Sequence, residues 1–350
     1  STLGIQPGQY LGDATSLWGT KKNKIEFVLN APKVHQALRN GDYDIIHVLV
    51  LDAVVYPTVL SSLPDVPVIV GPDLAGWSPV RDVPYWEETV TQQTKNYLRF
   101  VFKNVLGKHA PYDHALAFGQ HHKQILESFS IPDEIITMLK PGVTDQFLAY
   151  DESSGTDTRS DNEVPEILYV GDFSEHKGYP LFLRALSRLE YSVTARVIGS
   201  GDPQHDLIRS LDLEDVVTIE GFIPRNKLSK YYKQASLYVV PSIDETAGTN
   251  TQIEALASGT PVVVTDAPGL NEYAPPEASV FFSPRDPPAL QEALSTALSN
   301  LDNLTASAQK HAPDFLATKP LAQLDKMYRE IIESRADDNS SKENKRRSEK

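Results

Sequence analysis

The sequence predicts an α/β protein built from two doubly wound parallel sheets, and three observations lead there. Short β-branched runs alternate with amphipathic stretches along most of the chain, the pattern of βαβ units joined by right-handed crossovers. The chain has 350 residues, more than the roughly 250–300 that one hydrophobic core serves, so two domains are expected. Between the alternating halves, residues 151–163 (DESSGTDTRSDNE) contain no large apolar side chain and read as a linker.

In chain order, a strand at 25–29 and a helix at 32–40 open the first half. Strands follow at 44–50, 67–70, 114–118 and 134–139, with helices near 53–61, 86–106 and 120–129. The second half is more regular. Strands at 166–170, 193–198, 216–220, 237–240, 261–265 and 280–282 alternate with helices at 177–189, 204–211, 225–235, 251–257 and 288–298. The boundaries that result are a first domain over 1–150, a linker over 151–165 and a second domain over 166–317. A C-terminal helix over 318–336, with a return to the first domain open to it, precedes a disordered tail over 337–350. In doubly wound sheets ligands bind at the carboxyl ends of the strands, and the search for chemistry starts there.

Composition narrows the chemistry. There are 33 basic and 47 acidic residues, for a net charge of −14, which argues against a surface that grips nucleic acid or anionic lipid. Without cysteine, the chain has no disulfides, thiolate nucleophile or sulfur-ligated zinc. No run approaches the roughly 18 apolar residues of a membrane span, and the first ten residues lack the regions of a signal peptide. A cytoplasmic location is the expectation, with no transmembrane segment and peripheral membrane contact left open. No Gly-x-Ser-x-Gly elbow or Gly-Lys-Ser/Thr phosphate loop occurs, which disfavours serine hydrolases and NTPases. The adjacent His121 and His122 would point about 100° apart on a helix and do not readily share a metal.

Three segments could carry a site. The first, Ile167 to Gly178, is a buried strand ending in Gly171, a loop, and Lys177-Gly178 at a helix start. A strand-end glycine lets a ligand approach the backbone, and helix-start N–H groups attract anions. A tight turn with an exposed lysine explains the same residues. In the second, Gly199 and Gly201 lie in a turn at a sheet edge that would let a nucleotide pass, although Pro203 and Gln204 break the dinucleotide fingerprint. In the third, from Pro241 to Val264, an acidic Gly-containing loop leads into a short helix. Its first N–H groups could hold a phosphate, and carboxylates nearby could accept hydrogen bonds from sugar hydroxyls. Thr251-x-x-Glu254 also fits a capping box, in which Glu254 serves only the helix.

Taken in order, these pieces resemble the retaining glycosyltransferases of family 4. Further matches are Tyr43-Asp-Ile-Ile-His47, Lys140-Pro-Gly142-Val143, Gly71-Pro72 and Gly269-Leu-Asn-Glu272. The resemblance covers roughly residues 43–300. It implies the GT-B fold, two Rossmann-like domains facing a cleft, and transfer of a sugar from a nucleotide-sugar donor to an acceptor hydroxyl with retention. By motif position, Gly171 would lie against the donor phosphates and Lys177 would neutralise the departing diphosphate. Glu245 would orient the donor sugar and Glu254 would bind the ribose. Gly248, Thr249, Asn250 and Thr251 would complete the phosphate cradle, with Gly199, Gly201 and Glu272 also on the donor side. Asp73 would face the reacting centre from the acceptor side. The resemblance implies no cofactor and no metal, because a lysine and a helix N-terminus take the cation's place. The acceptor would be a saccharide, a lipid-linked species or a polyol.

The chain departs from the family pattern in places. Asp172 stands where many members carry Arg, and Asp73 near where a His often stands. Glu245 and Glu254 are nine positions apart instead of eight. The opening strand and Gly-rich loop of the family do not fit ahead of Asp44, so a chain shortened at its start or an unusual first sheet is expected. Two alternatives stay open: a GT-B protein that binds a nucleotide sugar without transferring it, and a nucleotide-sugar 2-epimerase.

Overall fold

The computed structural model of the protein describes residues 43–50, 66–73, 112–128, 131–148, 164–243 and 250–348, with the backbone alone described at 48–50, 72–73 and 336–348. The elements expected at 25–29, 32–40, 53–61 and 86–106, and the linker segment 151–163, lie outside the described residues. Contacts divide the chain into two compact units. One takes its described residues from Ser1–Ala117, Lys123–Met138 and Leu324–Lys350, the other from Phe118–His122 and Leu139–Gln323.

In the first unit, β1 (Ile46–Val50), β2 (Val68–Asp73) and β3 (His114–Ala117) precede helix α1 (Gln120–Ser128), whose first three residues belong to the second unit, and β4 (Ile136–Met138). The four strands are parallel and hydrogen-bonded in the order β1-β2-β3-β4. The strand expected at 134–139 is shorter, because a 3-10 turn over Asp133–Ile135 takes its first residues. Ile69, Val70, Leu116 and Ala117 are almost fully buried, as parallel strands covered on both faces require.

The second unit runs β5 (Glu166–Val170), α2 (Tyr179–Leu186), β6 (Thr194–Ile198), α3 (His205–Ser210), β7 (Val217–Gly221), α4 (Ser229–Gln234) and β8 (Leu237–Val240). It continues with α5 (Asn250–Ala257), β9 (Val262–Thr265), β10 (Ser279–Phe282), α6 (Pro287–Ser299) and α7 (Leu301–His311). All its strands are parallel, in the order β10-β9-β8-β5-β6-β7. Successive side chains of a strand face opposite sides, and the packing follows that rule. Ile167 and Tyr169 join Phe182, Leu183, Leu290 and Leu294 in one core. Leu168 joins Phe147, Tyr232, Ile253 and Leu256 in the other. Both faces are thus covered, which is the doubly wound architecture expected from the sequence.

Three differences from the sequence reading have physical causes. Residues 139–148, assigned to the first domain, pack on the second unit: Phe147 is fully buried against Tyr232, and Val143 exchanges backbone hydrogen bonds with Phe315 and Ala317. Helix α7 was not anticipated, since only Leu304 and Ala308 of its eleven residues are buried and the apolar periodicity is faint. The final helix, α8 (Thr318–Ser348), continues through most of the segment expected to be a disordered tail. After Pro320 in its first turn that stretch holds no glycine or proline, so nothing local stops it. Leu324, Met327, Tyr328 and Ile331 of α8 pack with Ile69 and Leu116 of the first sheet.

Candidate functional site

Strand order reverses between β5 and β8. Connections leave these two neighbours in opposite directions, so their carboxyl ends open a crevice, the usual ligand position in such sheets. A pocket of about 330 Å³ lies there, lined by Val170, Gly171 and Lys177 after β5, Pro241 and Ser242 after β8, and Asn250 and Thr251 at the start of α5.

The β5–α2 turn is shaped by Gly178. Its φ is +69°, a left-handed conformation, and a Cβ there would lie 1.9 Å from the Pro241 carbonyl oxygen. Only glycine fits that approach. The amide of Ile243 donates to the His176 carbonyl at 2.9 Å, so the turn is fastened to the end of β8 and Lys177 is held at the pocket wall. Tyr169 supports the loop from beneath, its hydroxyl donating to the Asp172 carbonyl at 2.6 Å. Asp172 is exposed, and its Oδ1 accepts from the Ser174 amide at 3.1 Å. The Asp172 carboxylate is therefore engaged with its own loop.

Gly199 and Gly201 stand behind this wall. A Cβ on Gly199 would fall 1.7 Å from the Gly171 carbonyl oxygen, so Gly199 lets the ends of β5 and β6 touch backbone to backbone. Gly201 lies over Phe173, 3.4 Å from where its Cβ would stand. The structure thus brings Gly171, Lys177, Asn250 and Thr251 together around the pocket and gives Gly199 and Gly201 a packing role beside it. Glu245, Gly248 and Thr249 lie outside the described residues. Asp73 ends β2 in the other unit, with its backbone alone described.

Glu254 lies one turn along α5 from the pocket residues. It does not form the capping box: α5 begins at Asn250, which places Thr251 inside the first turn instead of at the cap. The carboxylate turns toward α4 instead. Its Oε1 accepts from Arg225 Nε at 2.6 Å and its Oε2 from the Tyr232 hydroxyl at 3.0 Å. Burial raises the Glu254 pKa above the usual carboxylate value, and the hydrogen bonds and charge of Arg225 oppose that rise. Sequence reasoning missed both partners. Neither carries a local motif, and they meet Glu254 only when the turn Arg225–Lys227 and α4 pack against α5.

Glu272 is not among the residues that line the pocket. Its two carboxylate oxygens accept from the amides of Gln120, at 2.5 Å, and His121, at 2.8 Å. It serves the first turn of α1 as an N-terminal anion. Among the described residues no group of three or more His, Asp or Glu side chains is arranged to hold a metal ion. No described helix is long and apolar enough to cross a membrane.

Comparison with known proteins agrees with this geometry. The family model of glycosyl transferases group 1 matches residues 152–313. The chain is 28% identical over 234 residues to D-inositol 3-phosphate glycosyltransferase of Thermobispora bispora, covering 60% of this chain and 54% of that one. The chain spans about half the length of the curated relatives it matches. Among solved structures it resembles sucrose-phosphate synthase from Thermosynechococcus elongatus, with a TM-score of 0.72 and 21% identity over 94% of this chain and 82% of that one. It also resembles Anabaena HepE in complex with UDP and glucose, with a TM-score of 0.67 and 17% identity over 85% and 80% of the two chains. These likenesses bear on the fold: two parallel-sheet, Rossmann-like domains of the GT-B type.

Proposed function

We propose, from the match of residues 152–313 to the family model of glycosyl transferases group 1, that the protein moves a sugar from a nucleotide-sugar donor to an acceptor hydroxyl, retaining the anomeric configuration without a metal. The observation that carries the reading is the pocket at the β5/β8 reversal, where Lys177 and the first turn of α5 converge on one space beside Gly171. In this reading the donor's diphosphate lies against Gly171. The Lys177 ammonium and the N–H groups at the start of α5 stabilise the negative charge that develops as the glycosidic bond to the diphosphate breaks. That preorganised positive potential would do the work of a cation, with no cofactor, and the nucleotide sugar is itself the substrate. Glu254 would accept from the ribose hydroxyls and Glu245 would orient the sugar. The UDP held by HepE makes UDP a sensible first probe. The acceptor would be a saccharide, a lipid-linked species or a polyol.

Asp172 departs from the resembled pattern, and its carboxylate accepts from the Ser174 amide of its own loop. Calorimetry with UDP, GDP and ADP, followed by incubation of the corresponding nucleotide sugars with candidate acceptors, tests the proposal. Lys177→Ala should weaken diphosphate binding by ~1.5–3 kcal/mol, roughly 10- to 150-fold, at unchanged melting temperature. Wild-type-like affinity in that variant would remove Lys177 from the site. Binding without product would favour the inactive reading, and a 2-epimerised sugar nucleotide would favour the epimerase. Transfer should survive EDTA; loss with EDTA and rescue by a divalent ion would refute the metal-free mechanism.

A further inference from the structure

The pair formed by Arg225 and Glu254 is unlike the other ion pairs among the described residues of the second unit. Glu254 has a side chain only 2% exposed, whereas Arg225 is 58% exposed on the turn Arg225–Lys227 that follows β7. The guanidinium is fixed from two sides: Nε donates to Glu254 Oε1 at 2.6 Å, and the group lies over the Phe147 ring, 5.7 Å from its centre. The fully buried Tyr232 donates its hydroxyl to the other carboxylate oxygen. Burying a carboxylate costs desolvation free energy that its partners must offset. Retaining the buried Glu254 carboxylate one helical turn from a pocket, with a half-exposed arginine fixed on it, points to a use of the charge.

Capacity and position indicate that use. An ionised carboxylate offers about four acceptor positions, and Arg225 and Tyr232 take one on each oxygen. One position per oxygen remains, the number that two vicinal hydroxyls fill. Glu254 stands four and three residues after Asn250 and Thr251, one turn along α5 from the two helix residues that line the pocket. We propose that Arg225 is a positioning residue for donor recognition: with Tyr232 it holds the Glu254 carboxylate in one orientation, and Glu254 in turn reads the two ribose hydroxyls of the nucleotide. This rests on the reading of the pocket as a nucleotide-sugar site. Arg225 acts through Glu254 and need not touch the reacting atoms.

The test is ribose discrimination. Wild type and the variants Arg225→Gln, Arg225→Lys and Tyr232→Phe are titrated by calorimetry with whichever of UDP, GDP or ADP wild type binds, and with its 2′-deoxy counterpart. Wild type should prefer the ribonucleotide by about tenfold or more, because a site built to pair a hydroxyl rejects the analogue that lacks it. In Arg225→Gln the ribonucleotide should weaken by about tenfold while the deoxynucleotide changes by less than about twofold, so that the preference collapses. Arg225→Lys keeps the charge without the planar fork and should restore part of the preference. A merely structural role would weaken both nucleotides alike. Should Arg225→Gln fail to fold, Arg225→Lys and Tyr232→Phe decide: full wild-type discrimination in both overturns the proposal, as does a wild type that binds both nucleotides equally. A wild type that binds no nucleoside diphosphate would instead overturn the reading of the pocket itself, and this inference with it.

Discussion

His122, near the start of α1, is 1% exposed. Its Nδ1 accepts from the Phe118 amide at 3.2 Å, so the neutral ring carries its proton on Nε2, an atom without a partner among the described residues. Burial, aided by the neighbouring His121, lowers its pKa from 6.5 to about 4. As the pH falls, the unfolded chain takes up this proton before the folded protein does. The stabilisation is fully present above pH 6.5 and is lost as the pH falls toward about 4, a loss of about 3 kcal/mol. His122→Asn keeps an acceptor for the Phe118 amide and removes the titration. Urea unfolding of both proteins between pH 7 and pH 4 should show wild type losing stability faster, and a constant difference across that range would refute the assignment. Residues of this kind divide sharply in how far the sequence discloses them. Gly171, Lys177, Asn250 and Thr251 were legible because a strand end and a helix start position them locally. Arg225 and Tyr232 were not, because their contacts with Glu254 span 29 and 22 positions and arise only when the turn Arg225–Lys227 and α4 meet α5.

Elements show the same division. The strands of the second sheet were readable to within a residue because the central ones are short apolar runs buried on both faces, while the edge strand β7 alternates half-buried and exposed residues. Helix α7 was not, having too little apolar surface to show a period. The stretch expected as one helix over 225–235 is broken into the turn Arg225–Lys227 and α4, and that break sets the Arg225 backbone apart from the helix. The N-terminus of α2 depends most narrowly on one residue type. Gly178→Ala would place a methyl group against the Pro241 carbonyl and force a left-handed conformation that costs roughly 1–2 kcal/mol before any clash is counted. The obstacle is backbone, which yields less readily than a side chain. Gly178→Ala should therefore lose at least about 2 kcal/mol of stability. At temperatures where it stays folded it should bind diphosphate weakly, because the turn carrying Lys177 is displaced. Wild-type affinity in a folded Gly178→Ala protein would show that the turn's attachment to β8 does not position Lys177.

At the scale of the whole molecule, the chain crosses between its two units more than once, and the last crossing has an energetic consequence. After the second unit ends at Gln323, α8 supplies Leu324, Met327, Tyr328 and Ile331 to the core that includes Ile69 and Leu116. Two polar ties reinforce that packing. The Tyr328 hydroxyl donates to His47 Nδ1 at 2.5 Å, and the opposite ring nitrogen of His47 donates to the Gly71 carbonyl at 2.6 Å. Arg335 pairs with Asp113 at 3.0 Å, and Asp113 accepts from the Val68 amide. The sequence disclosed a C-terminal helix, but its attachment to strands more than 200 residues earlier is a tertiary fact that no local pattern encodes. Deleting a buried Met or Ile side chain costs about 2–5 kcal/mol, and removing 324–350 takes away both, together with the polar ties. In hydrogen exchange, a protein ending at residue 323 should therefore lose protection about 100-fold or more in β2 and β3, on the scale of ~1.4 kcal/mol per tenfold. Protection in β5 and β8, whose covering helices are all retained, should change by less than about threefold. Equal loss in both sheets would mean that α8 stabilises the protein as a single cooperative body, and unchanged protection in β2 and β3 would mean that the first sheet does not rely on it.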